Sequence, residues 1–394
     1  MKYASEPTYA KYITGDLKRF DERNTGFSRG AAEGDLYTLM HEKSVRNMER
    51  MAPGKTVFDH ARWVSGRTVD YILRQNALAR EGAPIYNAKL KLKNTDPVKL
   101  SQIIKETALW LGADLVGVAE LNPLWIYTHW GLHNVMYTNA ASEGDPIDIP
   151  PEYRYVVVMI NEMDYKPIHL TPAVEYETDI MYSKMGWCAT SLATFIRELG
   201  YRAIPSGNEL GMSIPMAVDA GLGELGRHGL LITREFGPRV RISKVFTDLP
   251  LIPDRPLDIG IQKFCEVCKL CSKYCPSRAL TSGPRMDTAW DVSNSPGMLK
   301  WPVRAMKCLN WWAKNGCHCS VCIRVCPWNK PNNLLHKIVR SIAALGSFNR
   351  TIVYLDQILG YGRQIKKTIE HDTEVVPVED VTDKNQRPPA DLGV

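Results

Sequence analysis

Nine of the ten cysteines fall in the 62 residues from Cys265 to Cys326, and no other feature constrains the fold so strongly. In C-E-V-C-K-L-C-S-K-Y-C-P, the cysteines Cys265, Cys268, Cys271 and Cys275 are separated by two, two and three residues, and Pro276 follows. Two-residue spacers let three successive thiolates converge on three corners of one iron–sulfur cubane, while the cysteine before proline serves a second cluster. A shorter run, Cys319-S-V-Cys322-I-R-V-Cys326-Pro327, repeats the last three cysteines, and Cys308 upstream is the natural substitute for the missing first one. The spacing therefore predicts two [4Fe-4S] clusters, one on Cys265, Cys268, Cys271 and Cys326, the other on Cys308, Cys319, Cys322 and Cys275. A zinc ribbon pairs two C-x-x-C knuckles and has no use for a third cysteine two residues on, nor for a Cys-Pro ending. Cys317 is surplus, either a free thiol or a competitor of Cys308 for the open corner. Cys188, alone in an apolar helical pattern, reads as a buried inert thiol.

The rest of the chain has to house whatever consumes the electrons. Its 394 residues suit two or three domains. The surplus of 49 Lys and Arg over 43 Asp and Glu is only +6, far from a nucleic-acid footprint. Between 256 and 340, however, 13 basic residues face 4 acidic ones, a surplus that clustered thiolates could offset. No stretch is apolar enough to span a membrane, and the first residues show neither an apolar signal core nor twin arginines.

Four units are expected: an N-terminal unit over 1–95, an α/β core over 96–255, a two-cluster ferredoxin-like domain over 256–340, and a C-terminal extension over 341–394 that ends in a poorly ordered tail. The first 95 residues show no chemistry motif. In the core, Asp96-Pro97 caps a helix whose apolar face is Leu100, Ile103, Ile104, Ala108 and Leu111. Strands are expected at 115–119, 155–160, 202–204, 230–233 and 240–246, with a long helix from about Thr171 to Glu198 and a short one over 215–220. The linker 249–258 carries three prolines and marks the boundary before the cysteines. No G-x-G-x-x-G follows a strand, since G-L-G-E-L-G at Gly221 to Gly226 comes after the short helix over 215–220; no phosphate loop or H-E-x-x-H is present, and D-x-H-x-x-G, which lets one cobalamin-binding class replace the lower ligand by His, is also missing.

A-G-L-G-E-L-G-R-H-G-L-L-I-T-R-E-F-G-P-R-V-R-I, from Ala220 to Ile242, followed by F-T-D-L-P-L, the ferredoxin run and C-P-W-N-K-P, resembles the corrinoid- and iron–sulfur-dependent reductive dehalogenases of organohalide respiration, over about Leu111 to Lys330. The resemblance implies a nitroreductase-like cobalamin-binding core joined to a two-[4Fe-4S] ferredoxin-like domain, with base-off cobalamin that takes no protein ligand. It also implies a site: Tyr182 as proton donor, with Thr178 one turn before it in E-Y-E-T-D-I-M-Y, Asn208 from I-P-S-G-N-E-L, and Arg241 from G-P-R-V-R-I as the basic neighbour. Thr178 and Tyr182 share one helix face. Arg227 is a rival for the basic role, and Trp311 and Trp312 are candidate cofactor walls.

The reaction implied is replacement of halogen by hydrogen on an organohalide, with Co(I) cobalamin fed through the two clusters and a guanidinium stabilising the phenolate. Partners implied are a low-potential electron donor and a small membrane-anchor subunit, with a homodimer as a candidate assembly and no nucleic acid. The chain is then expected as a mature form exported by the twin-arginine route and held at the outer face of the cytoplasmic membrane, the alternative being cytoplasmic. Epoxyqueuosine reductase, a tRNA-modifying corrinoid enzyme with a similar C-P-W-N-like ending, is the alternative function, and a plain electron-transfer module would leave the 250 residues before the clusters unexplained.

Overall fold

The computed structural model describes residues 3–34, 36–50, 57–75, 91–92, 96–136, 141–170 and 175–364. The expected tail from about residue 370, the start of the long helix at 171–174 and the E-G-A-P loop at 81–84 lie outside the described residues.

The core is a four-stranded sheet of β1 (Leu115–Glu120), β2 (Tyr155–Glu162), β3 (Ala203–Ser206) and β6 (Val240–Thr247), in the order β1-β2-β6-β3. Each of these strands lies within two residues of its expected position at either end. The expected strand at 230–233 is shorter: β5 (Leu231–Ile232) pairs with β4 (Glu224–Leu225) in a separate two-stranded ribbon. Every pairing in the main sheet is antiparallel, so the alternation of helices and strands along the chain does not translate into a parallel sheet.

Both faces of the sheet are covered. Val156, Val158, Ile160 and Phe246 pack on the helix Ser213–Asp219 through Met216, Ala217 and Val218. The alternate residues Val157, Met159 and Val245 pack on the opposite side against Leu100, Ile104 and Ala108 of the helix Pro97–Trp110, and against Leu192, Ala193 and Ile196 of the long helix Glu175–Glu198. The period-2 alternation of strand side chains thus serves two apolar layers at once, which is why these strands read as nearly continuous apolar runs. Cys188 sits in the second layer, 1% exposed, with its thiol directed at the Leu111 carbonyl. Asp96 caps its helix as expected, accepting from the Val98 amide at 2.9 Å.

The residues before 95 wrap onto this body. The helix Val57–Gln75 lies along Glu175–Glu198, with the Gly66 position against the Ile180 backbone, and the helix Leu36–Glu49 packs against Ala305–Asn315. Glu22, buried, accepts from the Gly131 amide and the Asn134 side chain.

The cysteine region forms its own apolar cluster around Phe264, Trp301, Trp328 and Ala343. Its two cysteine runs are built alike. Lys269 and Ser320 precede the one-turn helices Leu270–Lys273 and Val321–Arg324 with φ, ψ of −125°, 17° and −129°, 21°, and each helix leads into Cys-Pro.

Candidate active site

Two structural facts bring the dispersed motif residues together. Glu175–Glu198 places Thr178 and Tyr182 one turn apart on the same face. In β6 the register pairs Arg241 with Asn161, Ser243 with Met159 and Val245 with Val157, so Arg241 projects on the sheet face that carries the long helix. Arg241 donates through Nη2 to the Thr178 hydroxyl at 3.1 Å, and its guanidinium carbon lies 5.4 Å from the centre of the Tyr182 ring. Asn208, just past β3, donates through Nδ2 to the Tyr182 phenol oxygen at 3.2 Å. Thr178, Tyr182, Asn208 and Arg241 therefore form one constellation.

Tyr182 also faces a cavity walled by Asp70 and Leu73 of the Val57–Gln75 helix, by Gly186 and Ala189 of its own helix, and by Ser206, Gly207 and Glu209. Asp70 and Leu73 come from the first 95 residues, where no motif pointed to a site. Beneath Arg241 lies Asp179, fully buried, with Arg67 Nε 3.4 Å from its Oδ1. Burial outweighs the two arginines, Arg67 and Arg241, and pushes the Asp179 carboxyl up to about 7. Asp179 adjoins Thr178 in the sequence, so it was within reach of a motif reading; Arg67 was not.

The tryptophans divide. The Trp312 ring lies 4.9 Å from that of His318, whose buried imidazole feels the charges of Arg67 and Arg241, so Trp312 borders the constellation. For Trp311 the structure shows only a backbone carbonyl accepting from Asn315, on the same helix. Arg227 lies elsewhere: it is 1% exposed, donates to the carbonyls of Cys265, Thr281 and Gly283, and stacks 4.3 Å over Trp301. It is a brace of the cysteine region, and Arg241 alone of the two meets Tyr182.

The thiols segregate into two groups by mutual electrostatic influence. Cys268 feels Cys265 and Cys271, and Cys326 feels Cys268 and Cys265. Cys308 feels Cys319 and Cys275, and Cys322 feels all three of these. Cys271 and Cys322 interact across the two groups. Burial pushes Cys265 and Cys319 up to about 11 and Cys308 to about 12, and raises Cys268, Cys271, Cys322 and Cys326 as well, so as bare thiols these would stay protonated at neutral pH. A bound iron reverses this, because a coordinating thiol is deprotonated outright.

Arg285, Lys330 and Arg340 lie among these thiols, as the basic surplus of the segment led one to expect, joined by Arg227 from the core. Among the described residues no three His, Cys, Asp or Glu converge on a single ion. A cubane has a different iron at each corner, so its four thiolates stand wider apart than those of one tetrahedral zinc ion, whose Zn–S bonds are about 2.3 Å. Met181, next to Tyr182, packs in one apolar cluster with Ile323, Leu230 and Cys322. This cluster links the Tyr182 helix, through Met181, to the Cys308/Cys319/Cys322/Cys275 group, through Cys322.

The two pieces of sequence that carried the resemblance also meet. Gly237 sits against the backbone of Trp328, where a β-carbon would come 2.3 Å from the Trp328 oxygen, and Arg239 donates to the carbonyls of Phe236 and Lys330.

Residues 264–329 match the family described as a 4Fe-4S double cluster binding domain. The tetrachloroethene reductive dehalogenase of Sulfurospirillum multivorans is 37% identical over 302 residues, covering 71% of this chain and 60% of that protein. A solved catabolic reductive dehalogenase superposes with a TM-score of 0.73 at 23% identity, covering 92% of this chain and 49% of its own, and so shares the fold. The epoxyqueuosine reductase of Pseudomonas aeruginosa is a more distant relative, 24% identical over 268 residues. The chain spans about half to three fifths of the length of the reductive dehalogenases it matches.

Proposed function

We propose that this chain, a homologue of the tetrachloroethene reductive dehalogenases over the region they share, is the catalytic unit of a reductive dehalogenase that replaces a halogen of a small organohalide by hydrogen. The observation that carries the reading is the meeting of Tyr182, Asn208, Arg241 and Thr178 in one constellation whose tyrosine lines a cavity, with a thiol group suited to a cluster in the same region.

The residues fit the cofactors this function needs. Cys265, Cys268, Cys271 and Cys326 would hold one [4Fe-4S] cluster, and Cys275, Cys308, Cys319 and Cys322 the other. For a corrinoid, Arg241 Nε and His318 Nδ1 are buried polar atoms with no hydrogen-bond partner among the described residues, as groups awaiting a large polar ligand are. When bound, the corrinoid supplies reducing power at cobalt and the clusters supply it with single electrons.

The chain's own part is to deliver a proton. Asn208 donates to the phenol oxygen of Tyr182, so that bond does not use the phenol hydrogen. As the proton leaves, negative charge grows on the phenol oxygen, and the Asn208 amide and the Arg241 guanidinium are already in place to stabilise it. Thr178 fixes the guanidinium from the other side. Arg suits this position because it stays charged when half-buried. On the same reading the enzyme draws on a low-potential donor, sits peripherally at the outer face of the cytoplasmic membrane with a small anchor subunit, and pairs as a homodimer.

The test is Tyr182→Phe in anaerobically prepared, cobalamin-loaded protein. Halide release from chlorinated alkenes, alkanes and aromatics should fall by at least about a hundredfold, the loss expected for a general acid, while iron and cobalt contents are unchanged. Turnover near the wild-type rate with both cofactors present would make Tyr182 a packing residue. Modification of epoxyqueuosine in a tRNA stem loop without halide release would move the chain to the alternative function.

A further inference from the structure

The C-terminal helices Leu334–Leu345 and Asn349–Ile358 are amphipathic in the inverted sense. Their polar residues point inward: His336, Arg340, Asn349 and Asp356 are all buried. Arg340 donates to the Glu235 and Lys330 carbonyls at 2.6 and 2.9 Å, and Asp356 is ion-paired with buried Lys330 at 2.5 Å. These contacts fix the rotation of both helices about their axes. Most of their large apolar residues face out, with Leu334 74%, Leu345 75%, Phe348 57%, Ile358 56% and Leu359 67% exposed, while Ala343, Ile352 and Val353 pack inward on the cysteine region. So continuous an apolar face on a soluble surface marks an interaction site, in contrast to single exposed apolar residues.

We propose that this hairpin is a membrane-surface anchor that lays its apolar face into the interface of an anionic bilayer. Charge selects the occupant. The exposed charges on the two helices are Lys337 and Arg350, both basic, while the one acid, Asp356, is buried against Lys330. An apolar face whose own helices expose only cations complements anionic lipid headgroups over an acyl boundary. A second copy of the chain would bring the same cations toward one another across a two-fold axis. At 12 and 10 residues the helices are far below the roughly 20 that a span requires. No helix among the described residues is long and apolar enough to cross a membrane, so the mode is interfacial. The hairpin lies beside the Ile261–Val267 helix that carries Cys265, which puts the Cys265/Cys268/Cys271/Cys326 group on the membrane side of the molecule. The inference does not rest on the dehalogenase reading, since it needs no cofactor and no anchor subunit.

The experiment is flotation of the purified full chain with phosphatidylcholine–phosphatidylglycerol vesicles and with pure phosphatidylcholine vesicles, alongside sedimentation to give the mass in solution. The chain should float with the anionic vesicles as a single protein component. Lys337→Glu with Arg350→Glu should reduce partitioning by at least about fivefold per residue. Leu334→Glu with Leu345→Glu should reduce it by at least about a hundredfold. Both leucines are three-quarters exposed, so this variant should keep the wild-type circular dichroism and iron content. Failure of the wild type to float overturns the proposal, and so does flotation that survives the leucine substitutions. A two-chain mass that the leucine substitutions convert to one, without vesicle binding, assigns the face to a second copy and also overturns it.

Discussion

Gly237→Ala should show that the core and the cysteine region are locked at one backbone contact. Gly237 has φ of 61°, and a β-carbon there would stand 2.3 Å from the Trp328 oxygen and 2.6 Å from its carbonyl carbon. The left-handed conformation alone costs alanine about 1–2 kcal/mol. Relief of the contact needs a backbone shift of the order of 1 Å, and Trp328 resists it: the residue is 2% exposed and meets Phe264 edge-on at 5.9 Å, while Arg239 grips the Lys330 carbonyl. Overpacking of this kind costs a further ~1–3 kcal/mol, giving about 2–5 kcal/mol in total. For a chain of this length, unfolding in one transition, that lowers Tm by about 2–6 °C. Cys326 lies two residues before Trp328, so the same shift should deplete the iron of its cluster. The control is Gly34→Ala, at φ of 83° with nothing within 4 Å of the added carbon, which bears the conformational cost alone. Thermal melting followed by circular dichroism, with iron counted on the anaerobic protein, separates the two terms. If Gly237→Ala melts with Gly34→Ala and keeps its iron, the contact at Trp328 is not a lock.

Cys308→Ala should remove about half the iron from reconstituted protein and Cys317→Ala none; the reverse result would exchange their roles. Arg241→Leu should slow turnover, and combined with Tyr182→Phe should cost much less than the product of the single losses, because both serve one proton transfer; multiplicative losses would place Arg241 in a different step. Asp179, held near 7 against an ordinary 3.8, binds its proton more tightly in the folded chain, so its contribution is greatest at low pH and declines as pH rises from about 4 to 7. Asp179→Asn should flatten the pH dependence of stability by up to about 3 kcal/mol between pH 5 and pH 8, read from denaturant midpoints, and an unchanged slope would mean that the carboxyl does not titrate there.

The cysteine runs, the core strands and the capped helix at Asp96 were legible in the sequence because each depends on local spacing: thiolates two residues apart, alternating side chains on a strand, a carboxylate two residues before an amide. Cys188 was legible for the same reason, its burial following from the apolar period of its own helix. The register of β6 was not. A shift of one residue would send Arg241 to the other sheet face, away from Tyr182, and only pairing with β2 fixes that parity. Sequence favoured Arg241 only through the family resemblance and left Arg227 as a rival, since each is an arginine beside an apolar run, and which of them meets Tyr182 is decided by the surface that lies opposite. Asp70, Leu73 and Arg67 reach the site from a segment without a motif because the Val57–Gln75 helix packs along Glu175–Glu198, a contact between residues over a hundred positions apart. The outward apolar face of the last two helices reverses what their periodicity suggests. An apolar stripe shows that a helix has two sides, but the buried bonds of Arg340 and Asp356 decide which side is turned in.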